Sequence, residues 1–373
     1  MNEHSKIAIV IGTRAELIKT FPIMLELQKR KVPYYFIHTG QHSLKDLCEK
    51  FGVKKPNSIL TSAPEKSSKF FSKINKAIFW NLSLIFKIKK KLEKLKDLKW
   101  VLYHGDTMTT ASAAIGSSRL FNPFKKYKNI HLEAGLRSNN LFEPFPEEIS
   151  RIIADNFSDT LLAVSSLSKN NLKKMQKKKK IFVVGNTIID SANFALNLSK
   201  NYKIKPLSKK KFALVSIHRH ENIKNKERLK KIVNILLSLD FPTYFTMHDN
   251  TKRQLIKFGF YDKLKNNNNI KIIETLDYPS FVYQIKNCSL ILCDGGSMQE
   301  ESLIFEKPCI ILRKDTERQE GLQTNFQFLS GLNVEKTKEK IKEYLSSSFK
   351  VQKFKNPYGE RGLSKKIVDL LTK

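Results

Sequence analysis

Residues 6–30 read KIAIVIGTRAELIKTFPIMLELQKR. The apolar run Ile7–Ile11 has no polar alternation, so it predicts a short strand covered on both faces. Gly12 ends it. From Glu16 to Arg30 the apolar residues recur at helical spacing, which predicts an amphipathic helix. A buried strand that turns through glycine into a helix is the repeating unit of a parallel sheet wrapped by helices.

The same unit recurs along the chain. PYYFIHTG (33–40), WVLYHGD (100–106), NIHLEAG (129–135), DTLLAVS (159–165) and IFVVGN (181–186) read as strands. NLSLIFKIKKKLEKLKDL (81–98), TMTTASAAIGSSRLF (107–121) and PEEISRIIADNFS (146–158) read as helices between them. The pattern then restarts at KFALVSIHR (211–219) and runs through FPTYFTMH, NIKIIETL, SLILCDGGS and KPCIILR, again with helices between. With 373 residues, two domains are expected. The expected fold is α/β, two Rossmann-like doubly wound domains facing a central cleft. The expected division is 1–178 and 179–358, with a last helix, 359–373, packing back on the first domain.

Composition narrows the function. The net charge is +33. The lysines are spread over helical stretches between Leu and Ile, as solvated faces are, and no basic stretch shows the aromatic interleaving of a base-stacking platform. Nucleic acid is therefore not an expected partner. No apolar stretch approaches the ~18 residues of a membrane span, and the start lacks the pattern of a signal peptide. Cys48, Cys288, Cys293 and Cys309 form no CxxC pair and no metal spacing, so they read as reduced core thiols of a cytoplasmic protein. No metal and no cofactor are expected.

The polar residues gather just past the strands. In order they are Arg14 and Lys19; Gln41 and His42; His104, Asp106 and Thr107; His131, Glu133 and Arg137; His218, Arg219, Glu221 and Asn222; Asp294, Gly295, Gly296, Ser297, Glu300 and Glu301; and Arg313, Thr316, Glu317 and Arg318. In a doubly wound fold these points share one edge. Each has a plainer reading. Thr107 can cap a helix, and Glu147 and Glu148 after Pro146 suit a helix first turn. Co-location lifts the set. Glycine amides with Arg and Lys suit a diphosphate. Several carboxylates with a histidine suit proton transfer at a weakly acidic carbon. A nucleotide sugar deprotonated on its ring would use both.

GTRAELIK, TGQH, HGDTMTT, HLEAGLR, PFPEEISR, VGNTIID, HRHEN, DGGSMQEES and DTERQEG together resemble the UDP-N-acetylglucosamine 2-epimerases, in order and approximate spacing. Glu16, Ile18 and Lys19 resemble the non-hydrolysing form. The resemblance implies two GT-B-like domains, commonly a homodimer, and interconversion of UDP-N-acetylglucosamine and UDP-N-acetylmannosamine by elimination of UDP and its re-addition. It implies catalytic roles for Asp106, Glu133, Glu147 and His218. It implies diphosphate contacts for Arg14, Lys19 and the turn Gly295, Gly296, Ser297, and a ribose contact for Glu301. Gln41, His42, His104, Arg137, Arg219, Glu221 and Arg313 would surround the substrate. Some positions depart from the family pattern: DGGS stands for DSGG, IHRHE for GHRRE, HDNT (248–251) for HPRT, and Ser43-Leu44 for a polar pair. The last change implies that the substrate-activation site of some bacterial members is not retained. The competing readings are a 2-epimerase for a UDP-2,3-diacetamido uronate, a GT-B glycosyltransferase, and a non-catalytic nucleotide-sugar binding or nucleic acid protein.

Overall fold

The computed structural model describes residues 6–62, 70–141 and 143–372. The first compact unit runs through Ser191 and takes in the chain again from Tyr358. Its strands are β1 (Ile7–Ile11), β2 (Tyr34–His38), β3 (Ser58–Ile59), β4 (Trp100–His104), β5 (Lys128–Ala134), β6 (Thr160–Ala163) and β7 (Lys180–Val183). All pair in parallel, in the order β3-β2-β1-β4-β5-β6-β7. The order reverses between β1 and β4, which makes their carboxyl ends a switch point.

β1 is buried along its whole length, as its unbroken apolar run requires. Ala8 and Val10 join Tyr35, Ile37, Val101 and Tyr103 on one face of the sheet. That face is covered by Leu84, Ile88 and Leu92 of the helix Phe70–Glu93 and by Ala113 and Ala114 of the helix Met108–Gly116. The helix Arg14–Lys29 starts at a capping box. Thr13 accepts from the Glu16 amide, and the Glu16 carboxylate accepts from the Thr13 amide. The last helix, Leu363–Thr372, packs on Arg14–Lys29. Asp369 accepts from Arg30 at 2.6 Å, and the Leu371 carbonyl accepts from the Trp100 indole at 3.0 Å.

The second unit spans Ala192–Pro357. Its strands are β8 (Ala213–Ser216), β9 (Thr243–Thr246), β10 (Ile270–Ile273), β11 (Leu290–Cys293), β12 (Cys309–Ile311) and β13 (Gln327–Leu329). They are again parallel, in the order β10-β9-β8-β11-β12-β13, and the switch point lies between β8 and β11. Successive residues of β8 serve opposite cores. Ala213 and Val215 pack with Leu229, Ile232 and Leu236 of the helix Lys226–Leu237, while Leu214 packs with Ile285 and Met298.

The sequence-based division at 178/179 falls ahead of β7. The structure places β7 in the first sheet, paired to β6, and the divide lies at 191/192 inside the helix Ile188–Asn201. Cys48, Cys288, Cys293 and Cys309 are buried and form no disulfide. Among the described residues no helix is long and apolar enough to cross a membrane.

Candidate active site

In the first unit the turns after β1 and β4 are tied together by Glu16. Its Oε2 accepts from the amides of Gly12 (2.6 Å) and Thr13 (2.9 Å), and its Oε1 accepts from the hydroxyls of Thr107 and Thr110. Burial raises its pKa, with the Thr107 bond and the other donors opposing. Thr107 also caps the following helix, accepting from the Thr110 amide at 3.2 Å. That cap fixes the neighbouring Asp106, which is paired with Arg151. Arg151 is 1% exposed and donates from its other terminal nitrogen to Glu148 at 2.7 Å. Glu148 in turn accepts from the Ser138 amide. The helix Glu147–Phe157 thus places Glu147 at its first residue, with Pro146 before it, and turns Glu148 inward to the Arg151 network.

Glu133 sits where the pairing of β5 with β6 shifts register, and its φ is +66°. A non-glycine residue in the left-handed region is uncommon, and a bulge re-aims a side chain that regular pleating would have sent into the sheet face. The carboxylate is ion-paired with Lys19 and accepts from Asn186 Nδ2 at 3.0 Å. His104 Nε2 lies 3.8 Å from it. Burial pushes the His104 pKa down to about 4, Glu133 opposing and Lys19 reinforcing, so the ring is neutral near pH 7.

His131 bridges Asp155 (Nδ1, 2.7 Å) and the Gly105 carbonyl (Nε2, 2.8 Å), which holds the turn that carries Asp106. Arg137 donates to the same Asp155 at 2.5 Å. Burial would raise the Asp155 pKa, but His131 and Arg137 outweigh it and the net shift is downward.

The two cations of the first motif separate. Lys19 turns inward to Glu133. Arg14 lies at the surface and donates to both oxygens of Asp46, at 3.0 and 2.7 Å. Gln41 accepts from the Thr109 hydroxyl at 3.0 Å, and His42 is exposed.

In the second unit, Asp294 organises the switch point. Its Oδ1 accepts from the His218 amide and its Oδ2 from the Arg219 amide, both at 3.0 Å, and Oδ2 also accepts from Asn222 Nδ2 at 3.1 Å. The His218 ring lies over Gly295, where a Cβ would stand 3.0 Å from Cε1. Desolvation lowers the His218 pKa, with Asp294 opposing and Arg219, His248 and His220 reinforcing. Gly295 caps the helix Gly296–Ile304, and Ser297 is half-buried in its first turn. Glu301, farther along that helix, is 1% exposed and acts on the Tyr278 hydroxyl, whose pKa is raised by burial first and by Glu301 next.

Behind this turn lies a buried ionic network. Glu317 accepts from Arg313 at 2.8 Å and from Arg318, and Arg219 approaches it at 3.7 Å. Arg318 Nε donates to Glu300 at 2.9 Å, and Arg313 lies 3.9 Å from Glu221.

The structure therefore brings Asp106, Glu133, His104 and Lys19 onto the ends of β1, β4 and β5 and their following helices. It brings His218, Arg219, Gly295, Gly296 and Ser297 together at β8 and β11. Arg137 is paired with the buried Asp155, and the buried Arg313 is paired with Glu317 and lies 3.9 Å from Glu221. Sequence reasoning overlooked Glu16, Arg151, Asp155 and Asn186 as the groups that hold these side chains. A Thr-x-x-Glu capping box at 13–16 was the available signal for Glu16. Among the described residues no group of three or more His, Cys, Asp or Glu could hold a metal.

Two parallel sheets of this strand order, each with its acids, histidine or glycine turn at the switch point, define a GT-B-like α/β protein. The comparisons make the class specific. A family model described as UDP-N-acetylglucosamine 2-epimerase matches residues 25–372, and the chain belongs to that family. The UDP-N-acetylglucosamine 2-epimerase of Methanocaldococcus jannaschii is 35% identical, over 98% of this chain and 99% of its own. A crystal structure of the Methanocaldococcus jannaschii UDP-GlcNAc 2-epimerase with UDP-GlcNAc and UDP matches with a TM-score of 0.83, covering 98% of this chain and 99% of that one. The Neisseria meningitidis UDP-GlcNAc 2-epimerase bound to UDP-GlcNAc, 30% identical, also matches with a TM-score of 0.83, covering 98% of this chain and 99% of that one.

Proposed function

We propose that this protein is a non-hydrolysing UDP-N-acetylglucosamine 2-epimerase that interconverts UDP-N-acetylglucosamine and UDP-N-acetylmannosamine. Besides family membership, the observation that carries the reading is Glu133. It is a buried carboxylate on a left-handed bulge, fixed by Lys19 and Asn186 beside a neutral His104. Such pre-positioning suits an acid/base group that must meet a carbon-bound proton.

The reaction breaks the C1–O bond to UDP while C2 gives up its proton, which leaves 2-acetamidoglucal. UDP then adds back at C1 as a proton reaches the opposite face of C2. Asp106, Glu133 and Glu147 are the groups assigned to the C2 proton. Arg151 orients Asp106, and Lys19 does the same for Glu133. Lys19 is therefore assigned to Glu133 rather than to the diphosphate. The Gly295–Ser297 turn and the start of its helix suit the diphosphate. His218, packed over Gly295, is the group assigned to the departing and returning UDP. Arg14, exposed and one exchange away from Asp46, is assigned to the diphosphate, and Glu301 to the ribose. A homodimer and a cytoplasmic site of action go with the same reading.

Proton NMR of UDP-N-acetylglucosamine with the protein in D2O tests it. Both epimers should form and both should carry deuterium at C2. Epimerisation without deuterium would rule out elimination and re-addition. Absence of the second epimer would rule out the activity.

A further inference from the structure

The motif VGNTIID (184–190) lies where the chain is about to leave the first unit. Asn186 within it is 1% exposed and bonds to three different parts of the fold. Its Nδ2 donates to Glu133 Oε2 at 3.0 Å. Its Oδ1 accepts from the Ile188 amide at 3.0 Å, at the start of the helix Ile188–Asn201 that carries the chain into the second unit. Its backbone amide donates to the Tyr358 carbonyl at 3.0 Å, and Tyr358 is the first residue of the returning chain.

The outgoing and returning segments press together here. A Cβ on Gly185, whose φ is +91°, would stand 2.5 Å from that same carbonyl oxygen. One turn farther along, Asp190 accepts from the amides of Gly362 and Ser364, both at 2.7 Å, and from the Ser364 hydroxyl at 2.6 Å.

The side-chain chemistry at 186 is specific. The Ile188 amide can only donate, so the amide oxygen of Asn186 must face it. That leaves the NH2 group for Glu133, whose carboxylate, ion-paired with Lys19, can only accept. Both bonds to Glu133 fall on Oε2. Lys19 comes from the helix Arg14–Lys29 and Asn186 from the crossing, so the carboxylate is held from two elements at once.

We propose that Asn186 is a positioning residue that sets the aim of Glu133 from the crossing between the units, so that the joining segments and the carboxylate assigned to the C2 proton move as one. The inference rests on that assignment of Glu133.

The test uses the full-length chain, with epimerisation followed by NMR and UDP as calorimetric probe. Asn186→Ser keeps an acceptor for the Ile188 amide but is too short to reach Glu133. Asn186→Asp keeps the shape and the cap but turns an oxygen toward the carboxylate. Losing a bond to a charged group should lower kcat about ten- to hundredfold in either variant. The substrate KM and the UDP Kd should stay within about threefold, because the Gly295–Ser297 turn is untouched. The serine variant adds no buried charge, and it decides the matter if the aspartate variant does not fold. Asp190→Asn weakens the hold on the returning segment without touching Glu133. It should lower kcat about threefold in the wild-type background and hardly at all in Asn186→Ser, where the link it acts through is gone. Wild-type kcat in Asn186→Ser, or a loss of UDP affinity as large as the loss of kcat, would overturn the positioning role. An Asp190→Asn effect that is absent, or the same in both backgrounds, would overturn the coupling. Wild-type turnover in Glu133→Gln would remove Glu133 from the proton transfer, and this inference with it.

Discussion

Replacing Lys19 by methionine removes one half of a buried ion pair. The side chains of Lys19 and Glu133 are 6% and 4% exposed, so water cannot take over for the lost partner. Deleting one member of such a pair costs about 3–5 kcal/mol. Asn186 still donates to Glu133 at 3.0 Å, which places the expected loss near the lower end, about 3 kcal/mol. Glu133→Gln removes the other half of the pair and should cost a similar amount. The double variant Lys19→Met/Glu133→Gln buries no charge at this point, so it should be more stable than either single variant. The two tryptophans of the chain, Trp80 and Trp100, both lie in the first unit, so urea unfolding followed by tryptophan fluorescence reports the unit that contains the pair. The double variant should nevertheless be inactive, because positioned acid/base groups typically contribute about 10²–10⁴-fold in rate. A Lys19→Met chain within about 1 kcal/mol of wild type, or a double variant that loses the sum of the singles, would refute the reasoning.

His104 supplies a pH dependence. Its pKa is about 4 in the folded chain against 6.5 for the ordinary residue, so the unfolded chain takes up the proton first. Stability should be fully present above about pH 6.5 and fall as the pH drops toward 4, by roughly 2–3 kcal/mol from this group. His104→Gln should flatten that part of a plot of Tm against pH, and an unchanged slope would exclude a neutral buried ring. Arg14→Ala breaks a pair whose side chains are 48% and 61% exposed, so the urea midpoint should hardly move, about 0–1 kcal/mol at most. The UDP Kd should rise about tenfold through the lost charge-assisted bonds; calorimetry showing no change would remove Arg14 from the diphosphate site.

Arg14 and Lys19 show why sequence separation misleads. Read as a string they look like one cationic pair, about a turn apart. Five residues of helix amount to about 500° of rotation, so the two side chains leave the axis on different sides. One reaches Asp46 at the surface and the other reaches Glu133 under the sheet edge. Gly296 has surroundings that no local window contains. Two glycines at a helix start suggest a ligand, but only the fold brings Arg318 back to fill the space beside the second one.

The local chain did determine a great deal. Unbroken apolar runs such as Ile7–Ile11 have no solvated face to offer, so they had to become doubly covered strands. Thr13, Thr107 and Asp277 start helices because a side-chain oxygen can satisfy an exposed amide, and that chemistry is complete within four residues. Alternation of these units fixed the α/β class and the duplication, and the motifs at strand ends named most of the candidate residues. Tertiary structure decided which strand ends became neighbours. β1 lies beside β4 although β2 and β3 intervene in the chain, and β8 lies beside β11 in the same manner. Pairing over such distances is set by how whole faces bury together, and no local window contains it. The left-handed turn at Glu133 belongs to the same category. It arises where β5 loses register with β6, a partner about thirty residues farther along, and that mismatch aims the carboxylate at Lys19.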